Sequence, residues 1–455
     1  MVKLKKSVYI IGIGGISLSA IAIILKSKGF IVYGSDLVKS HITDELEKKG
    51  IDIIIGHAPD FVKVADIIVY SSAVNEEDID LKLAKKLNKK IMTRAELLGL
   101  ISRQYQTISI SGSHGKTTTT GMIASVFLNS NKSPNIHIGG ILNNIQSNVY
   151  VGNDNIFITE ACEYKDSFLK LSNNISVVLN IKSDHLDYFK NLDNIFESFQ
   201  KFVDNTKEGG FVVYNNDDAL CKKLKYNDKI ISYGINEKSD VMAKNIRLKE
   251  NGKYNFDIFN NGVLCMNIDL PCFGYHNIYN ALATFCVCYY EGLSFIDIKN
   301  GIESFKGIKR RFEYINNFNS NLIIHDYAHH PDEILATIKT GLELKKDKII
   351  IIFQPHTFSR TKDLYNEFLN ALNNGNEVWL LPIYPAREKP IKGISSFKLY
   401  KDLKDMGCKC RYFSNFEKCY NQIKKYNDKN TLFEILGAGD IEKLSDMLKY
   451  FVFKI

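Results

Sequence analysis

No apolar run in this chain is long enough to span a bilayer, and no dense basic tract marks a nucleic-acid surface. The net charge of +8 comes from 59 basic against 51 acidic residues, with the lysines scattered along the chain. Neither a membrane nor a nucleic acid is an expected partner. The nine cysteines include no C-x-x-C pair with histidine spacing, and an odd number cannot all pair internally. Reduced thiols in a cytosolic compartment are therefore expected. Internal repeats and low-complexity linkers are also absent. The start, MVKLKKSVYIIGIGG, has a charged then apolar character, but Gly12, Gly14 and Gly15 interrupt it and no small-residue cleavage site follows. A cytoplasmic protein is expected.

What the chain does contain is length enough for more than one core. Its 455 residues suggest about three domains, and its composition, 45% hydrophobic and 24% charged, is that of a globular protein. The first hundred residues alternate strand and helix signals. Strands are predicted at Val8–Ile13, Phe30–Tyr33, Ile51–Ile55 and Ile67–Tyr70, with a helix carrying Ile16, Leu18, Ile21, Ile24 and Leu25 after the first. A second segment has strands at Ile156–Thr159, Val177–Leu179 and Phe211–Tyr214, and a third at Leu322–His325, Ile349–Phe353 and Val378–Leu381. The expected fold is α/β throughout: a Rossmann-like N-terminal domain (1–104), a central P-loop-type ATPase domain (105–308) and a Rossmann-like C-terminal domain (309–455).

The most informative stretch is TISISGSHGKTTTT, residues 107–120. A β-rich run passes through Gly112, Ser113, His114 and Gly115 to Lys116, Thr117 and Thr118, then into the apolar-periodic Met122, Ile123, Val126 and Phe127. Strand, glycine loop and helix start together aim backbone N–H groups and a helix N-terminus at an anion. Lys116 would reach the β/γ-phosphates and Thr117 would offer its hydroxyl to Mg²⁺. The loop is a compact G-x-x-G-K-T, because Ile110 stands where the general P-loop pattern has its first glycine.

Other segments place chemistry at strand ends. Glu160 ends a strand about 45 residues after the loop, as a Walker-B-type acid would; Glu163 is the other acid within reach, and Glu160 is favoured because it directly ends the strand. His185, in Asn180 to Asp187, follows another apolar strand and reads equally as structural or as a site residue. Gly12, Gly14 and Gly15 form a phosphate-binding turn, although Ser17 occupies the place of the third fingerprint glycine. Asp36 closes the next strand, suited either to a ribose hydroxyl or to a solvated turn. Asn277 and Asn280 open a helical pattern where asparagine reads a base edge or caps a helix. In the third segment Asp326 to Pro331 and Gln354 to Thr361, with Tyr327, His330 and Arg360, are suited to an amino-acid carboxylate.

Taken in order, Gly12 to Gly15, Val69 to Ala73, Arg94 to Glu96, Gly112 to Thr120, Glu160 to Tyr164 and Asp184 to Asp187 resemble the Mur ligase family. The resemblance continues through His276 to Ala283, Arg310 to Phe312, Asp326 to Pro331, Gln354 to Thr361 and Gly437 to Asp440, across nearly the whole chain. It implies an ATP- and Mg²⁺-dependent amide synthesis on the lactyl carboxylate of UDP-N-acetylmuramate, with L-alanine as the amine, in a monomer or homodimer. Lys116, Glu160, His185 and His330 would be catalytic, and Thr117, Glu160 and His185 would hold the metal. Gly112 to Thr118, His276, Asn280, Arg310 and Arg311 map to the ATP site. Gly12, Gly14, Gly15, Asp36, Ser71, Ser72 and Arg94 map to the UDP-sugar, and Tyr327, His330 and Arg360 to the amino acid. Gln200 stands where some members carry a carbamylated lysine, so no carbamate is expected. Cys162 to Lys165 replaces a run of alternating acids and leaves a second metal's ligands open. Within the family the alternative is the branch that recycles a preformed tripeptide. Outside it, a nicotinamide-dependent dehydrogenase would leave the Gly112–Thr120 loop unexplained.

Overall fold

Three sheets organise the chain, in a computed structural model that describes residues 6–71, 74–318, 320–386 and 388–449. The first is fully parallel, in the order Asp52–Ile55, Ile31–Asp36, Ser7–Ile11, Ile67–Tyr70, Lys90–Thr93. Its order reverses between Ser7–Ile11 and Ile67–Tyr70, where a doubly wound sheet opens a crevice at the strand carboxyl ends. The first strand stops two residues earlier than predicted. Gly12 adopts φ +78°, and the N–H groups of Gly12 and Ile13 both turn to Ser35 O, at 2.8 and 3.0 Å. That conformation favours glycine and ends the ladder there.

The second sheet has ten strands. Its middle is parallel, in the order Thr206–Asn215, Asn173–Val178, Gln106–Ser111, Ile156–Glu160, Asn135–Leu142. The strand that feeds the glycine loop is thus flanked by the strand ending in Glu160 and by the strand leading to His185. The helix Lys116–Asn129 is buried on nearly every side and packs on the helices His276–Tyr290 and Phe295–Glu303. An apolar segment without a polar face needs such cover. Beyond Lys229–Gly234 the sheet continues through Val241–Leu248, Lys253–Asn260 and Val263–Phe273, which the sequence reading leaves unassigned. The alternate burial of Tyr254, Phe256 and Ile258 is the signal that identifies this extension.

The third sheet runs Glu313–Phe318, Asn321–Asp326, Thr431–Leu436, Lys348–Phe353, Glu377–Leu380, Cys410–Tyr412, parallel except for its first strand. The unbroken apolar run Ile349–Phe353 is buried on both faces, as a central parallel strand requires. The chain divides into two compact units: Met1–Arg247, Asn255–Cys272 and His276–Ile308 form one, and Leu248–Tyr254, Phe273–Tyr275 and Lys309–Ile455 the other. No helix among the described residues is long and apolar enough to cross a membrane.

One buried acid breaks the apolar pattern of the second unit. Glu434 pairs in register with Ile324 and Ile351, is fully buried, and neither carboxylate oxygen has a hydrogen-bond partner among the described residues. Burial, with a smaller push from Asp326, raises its pKa from 4.5 to about 8. A carboxyl whose folded pKa is raised leaves the unfolded chain to ionise first as pH increases. Stability is then full below the unfolded value and falls between about pH 4.5 and pH 8, by on the order of 4 kcal/mol. Glu434→Leu should remove this loss: urea unfolding followed by the single tryptophan, the buried Trp379 of this unit, will show the variant more stable than wild type at pH 8, with most of that gain gone at pH 5.

Candidate active site

The glycine loop is held from the neighbouring strand end. Ser113 N donates to Asn180 O at 3.1 Å, His114 N to Asn180 Oδ1 at 2.9 Å, and Asn180 Nδ2 returns a bond to His114 O at 3.0 Å. Lys182 N adds a bond to Ser113 Oγ at 2.9 Å. In the sequence Asn180 only opens the segment that holds His185, and nothing local signals its clamp on a loop 66 residues earlier. At the helix start Gly115 has φ +87°, and a Cβ there would lie 2.8 Å from Asn280 Oδ1. Glycine is required twice over, by conformation and by space. The first-turn N–H groups that follow have no acceptor within the helix, which suits them to an anion.

Lys116 is the cation of this loop. Its Nζ donates to Glu163 Oε2 at 2.9 Å and Oε1 at 3.1 Å, to Ser113 O at 3.3 Å, and to Gly112 O. Burial alone would draw the ammonium's pKa down, but the Glu163 carboxylate, with Cys162 and Glu160, outweighs it and holds the pKa above the ordinary lysine value. His185 Nε2 lies 3.9 Å from Glu163 Oε1 and 3.8 Å from Asp184 Oδ2. Glu163, Asp184 and His185 present ligand atoms that all fall within 4.8 Å of one another.

Glu160 is placed differently from what its strand-end position suggests. Its Oε1 accepts from Gly139 N at 2.6 Å, on the adjacent strand. The chain turns after Glu160, so the acid brought beside both Lys116 and His185 is Glu163. Thr117, by contrast, is at the loop's helix start as expected. His114, His276 and Asn280 also gather there. Asn280 Oδ1 accepts from Thr119 Oγ1 at 3.1 Å, while burial, then the neighbouring His114, pulls the His276 pKa down to about 4.

In the same unit, the residues assigned to the UDP-sugar collect at the crevice of the first sheet. Gly15 N donates to Gly12 O at 3.1 Å and Gly14 N to Asp36 Oδ2 at 3.0 Å, while a Cβ on Gly12 would lie 3.8 Å from Ser71 Cβ. Asp36 therefore helps to shape the turn itself. Arg94 joins through Ser17, whose Oγ accepts from Arg94 Nη1 at 3.2 Å. Ser72 lies outside the described residues.

In the second unit the motifs converge on the carboxyl ends of the parallel strands. Arg310 donates to Gly437 O at 2.8 Å and Gly439 O at 3.2 Å, and its guanidinium sits 4.7 Å from the Tyr327 ring centre. Arg311 lies 5.8 Å from the same ring. Gln354 is tied to the Gly437–Asp440 turn through Asp440 Oδ1 at 2.9 Å and Ile441 N at 3.0 Å. Of the two adjacent histidines, His329 faces Tyr327 and His356, with ring centres 5.2 and 5.9 Å apart. Arg360 Nη1 lies 3.2 Å from His356 Nδ1. His330 instead caps the helix Pro331–Glu343, its Nδ1 accepting from Asp332 N at 3.4 Å. The cluster of Tyr327 and Arg360 is thus completed by His329 and His356, and His330 lies at its edge.

Known proteins resemble this chain over nearly its whole length. Residues 7–106 match the Mur ligase family catalytic domain, 110–288 the Mur ligase middle domain, and 310–439 the Mur ligase glutamate ligase domain. The chain is 43% identical to the UDP-N-acetylmuramate--L-alanine ligase of Caldicellulosiruptor bescii over 444 residues, 97% of each chain. It is likewise 43% identical to the enzyme of that name from Acetivibrio thermocellus, covering 97% of this chain and 95% of the relative. Among solved structures, the UDP-N-acetylmuramate-alanine ligase of Thermotoga maritima superposes with a TM-score of 0.82 at 28% identity, covering 97% of this chain and 98% of its own. On that identity and coverage, the chain belongs to the Mur ligase family.

Proposed function

We propose that this chain is an ATP-dependent ligase that joins L-alanine to the lactyl carboxylate of UDP-N-acetylmuramate, releasing ADP and phosphate, for peptidoglycan precursor synthesis. The observation that carries the reading is the phosphate loop with Lys116 paired to Glu163 beside His185, in a chain of this family. A carboxylate is a poor electrophile until one of its oxygens becomes a leaving group. Transfer of the γ-phosphoryl group to the lactyl oxygen supplies that leaving group and frees ADP. The amine of L-alanine then attacks the carbonyl carbon, the C–O bond to phosphate breaks, and the amine proton is lost as the amide forms. Lys116 and the loop N–H groups hold the transferring phosphates, where their positive charge acts without reorganising.

A hydroxyl and carboxylates are hard donors, with one borderline imidazole beside them, and the close approach of Glu163, Asp184 and His185 fits a small divalent cation. Mg²⁺ would be held by Thr117, His185 and a carboxylate, Glu163 on the geometry and Glu160 on strand position, and would offset repulsion between triphosphate and substrate carboxylate. We assign 1–104 to the UDP-sugar, 105–308 to ATP, and 309–455, through Tyr327, Arg360 and His330, to the amino acid. A cytoplasmic monomer or homodimer completes the reading.

Phosphate release with UDP-N-acetylmuramate, ATP and each of L-alanine, L-serine, glycine and a peptidoglycan tripeptide tests the reaction; preference for the tripeptide would overturn the substrate assignment. Lys116→Ala should cut that release by roughly 10²–10³-fold, with UDP-sugar affinity by calorimetry within about twofold of wild type. Normal turnover in the variant would refute the site. Glu163→Gln should raise the Mg²⁺ concentration for half-maximal activity about tenfold or more, and Glu160→Gln much less. The opposite ranking would return the metal to Glu160.

A further inference from the structure

Ser17 stands where a dinucleotide fingerprint has its third glycine, and its hydroxyl is put to use. Ser17 Oγ accepts from Arg94 Nη1 at 3.2 Å and lies 2.8 Å from His137 Nε2. The other ring nitrogen, His137 Nδ1, lies 2.9 Å from Thr159 Oγ1, and Thr159 Oγ1 donates to Glu160 O at 3.1 Å. His137 is only 3% exposed, so an unpaired ring nitrogen there would be costly. Burial first, then the charge of Arg94, draws its pKa down to about 3, so the ring is neutral and carries one proton.

The donors and acceptors fix where that proton sits. Thr159 spends its hydroxyl proton on Glu160 O, so it must accept from His137 Nδ1–H. Nε2 is then the acceptor and takes the hydroxyl proton of Ser17, which in turn accepts from Arg94. The single side-chain protons of Ser17, His137 and Thr159 are each used once. The strand that carries His137, Asn135–Leu142, also presents Gly139 N to the Glu160 carboxylate. One end of the chain of bonds is a guanidinium of the UDP-sugar side, and the other is the strand end beside the phosphate loop.

We infer that His137 is a positioning residue for the ligation. Through Ser17 and Thr159 it fixes Arg94 relative to the Glu160 strand end, and so sets the reach of the sugar-borne carboxylate toward the transferring phosphate. This rests on the ligase reading above. The test compares Ser17→Gly, Thr159→Val and His137→Phe with wild type, with kcat normalised to ATP-binding stoichiometry from calorimetry so that unfolded protein does not count. Each single variant should lower kcat by about tenfold and raise KM for UDP-N-acetylmuramate severalfold, with ATP affinity changed less than twofold. In the His137→Phe background, or the Thr159→Val background if His137→Phe does not fold, Ser17→Gly should cost less than a further twofold. Equal losses of Ser17→Gly in both backgrounds, or a normalised kcat unchanged in Ser17→Gly and Thr159→Val, would overturn the inference. Absence of phosphate release from wild type with these substrates would instead sink the ligase reading itself.

Discussion

A buried ammonium needs a counter-charge, and in this chain the need is met by one acid, Glu163. Lys116 is 17% exposed and Glu163 only 3%, so each would be strongly disfavoured without the other. The pairing holds the lysine charged and aims it across the mouth of the glycine loop. A triphosphate tail offers the same lysine an alternative anion, and a divalent cation offers the same carboxylate an alternative charge. On the proposed reading, ligand binding would be an exchange of partners in which neither charge is left alone. Asn180 and the left-handed Gly115 hold the loop backbone in place.

The sheet order explains why these groups meet at all. Parallel strands put their carboxyl ends on one edge, and the central sheet places Gln106–Ser111 between Ile156–Glu160 and Asn173–Val178. Three separate sequence segments therefore deliver Lys116, Glu163 and His185 to one edge with no long connection. The first sheet repeats the device with Gly12, Asp36 and Ser71 at its reversal point. The third repeats it with Tyr327, Gln354 and the Gly437–Asp440 turn.

Much of this was legible in the residues because strand and loop chemistry are local. The apolar runs at Ile67–Tyr70 and Ile349–Phe353 announce strands, and the Gly112–Thr117 spacing announces an anion loop, without any tertiary information. What was not legible depends on side-chain direction after a strand ends. Glu160 and Glu163 are three residues apart, and only the turn through Ala161 and Cys162 decides which faces Lys116. His329 and His330 are neighbours, and only the helix start at Pro331 decides that His330 becomes a cap. Asn180 was inconspicuous because its role lies in a carboxamide meeting a loop 66 residues away. Lys90–Thr93, short, opening on a lysine and followed by Arg94, carries little apolar signal and is a strand because Ile67–Tyr70 has an open edge to pair with.

The departure at position 110 has a physical sense. A longer phosphate loop begins with a glycine so that the backbone can leave the strand early. Here the strand continues through Ile110 and Ser111, with Ile110 fully buried between Val177 and Glu160 and Ser111 Oγ donating to Val177 O at 2.8 Å. A side chain at 110 therefore costs nothing, since the chain is still in the sheet. The bend is deferred to Gly112, whose φ of +139° few other residues tolerate. With fewer residues left to wrap the anion, the loop gains rigidity from outside, through the carboxamide and carbonyl of Asn180. Shortness and the external clamp are one design: a compact loop is preorganised for a phosphate only while the adjacent strand end holds it open.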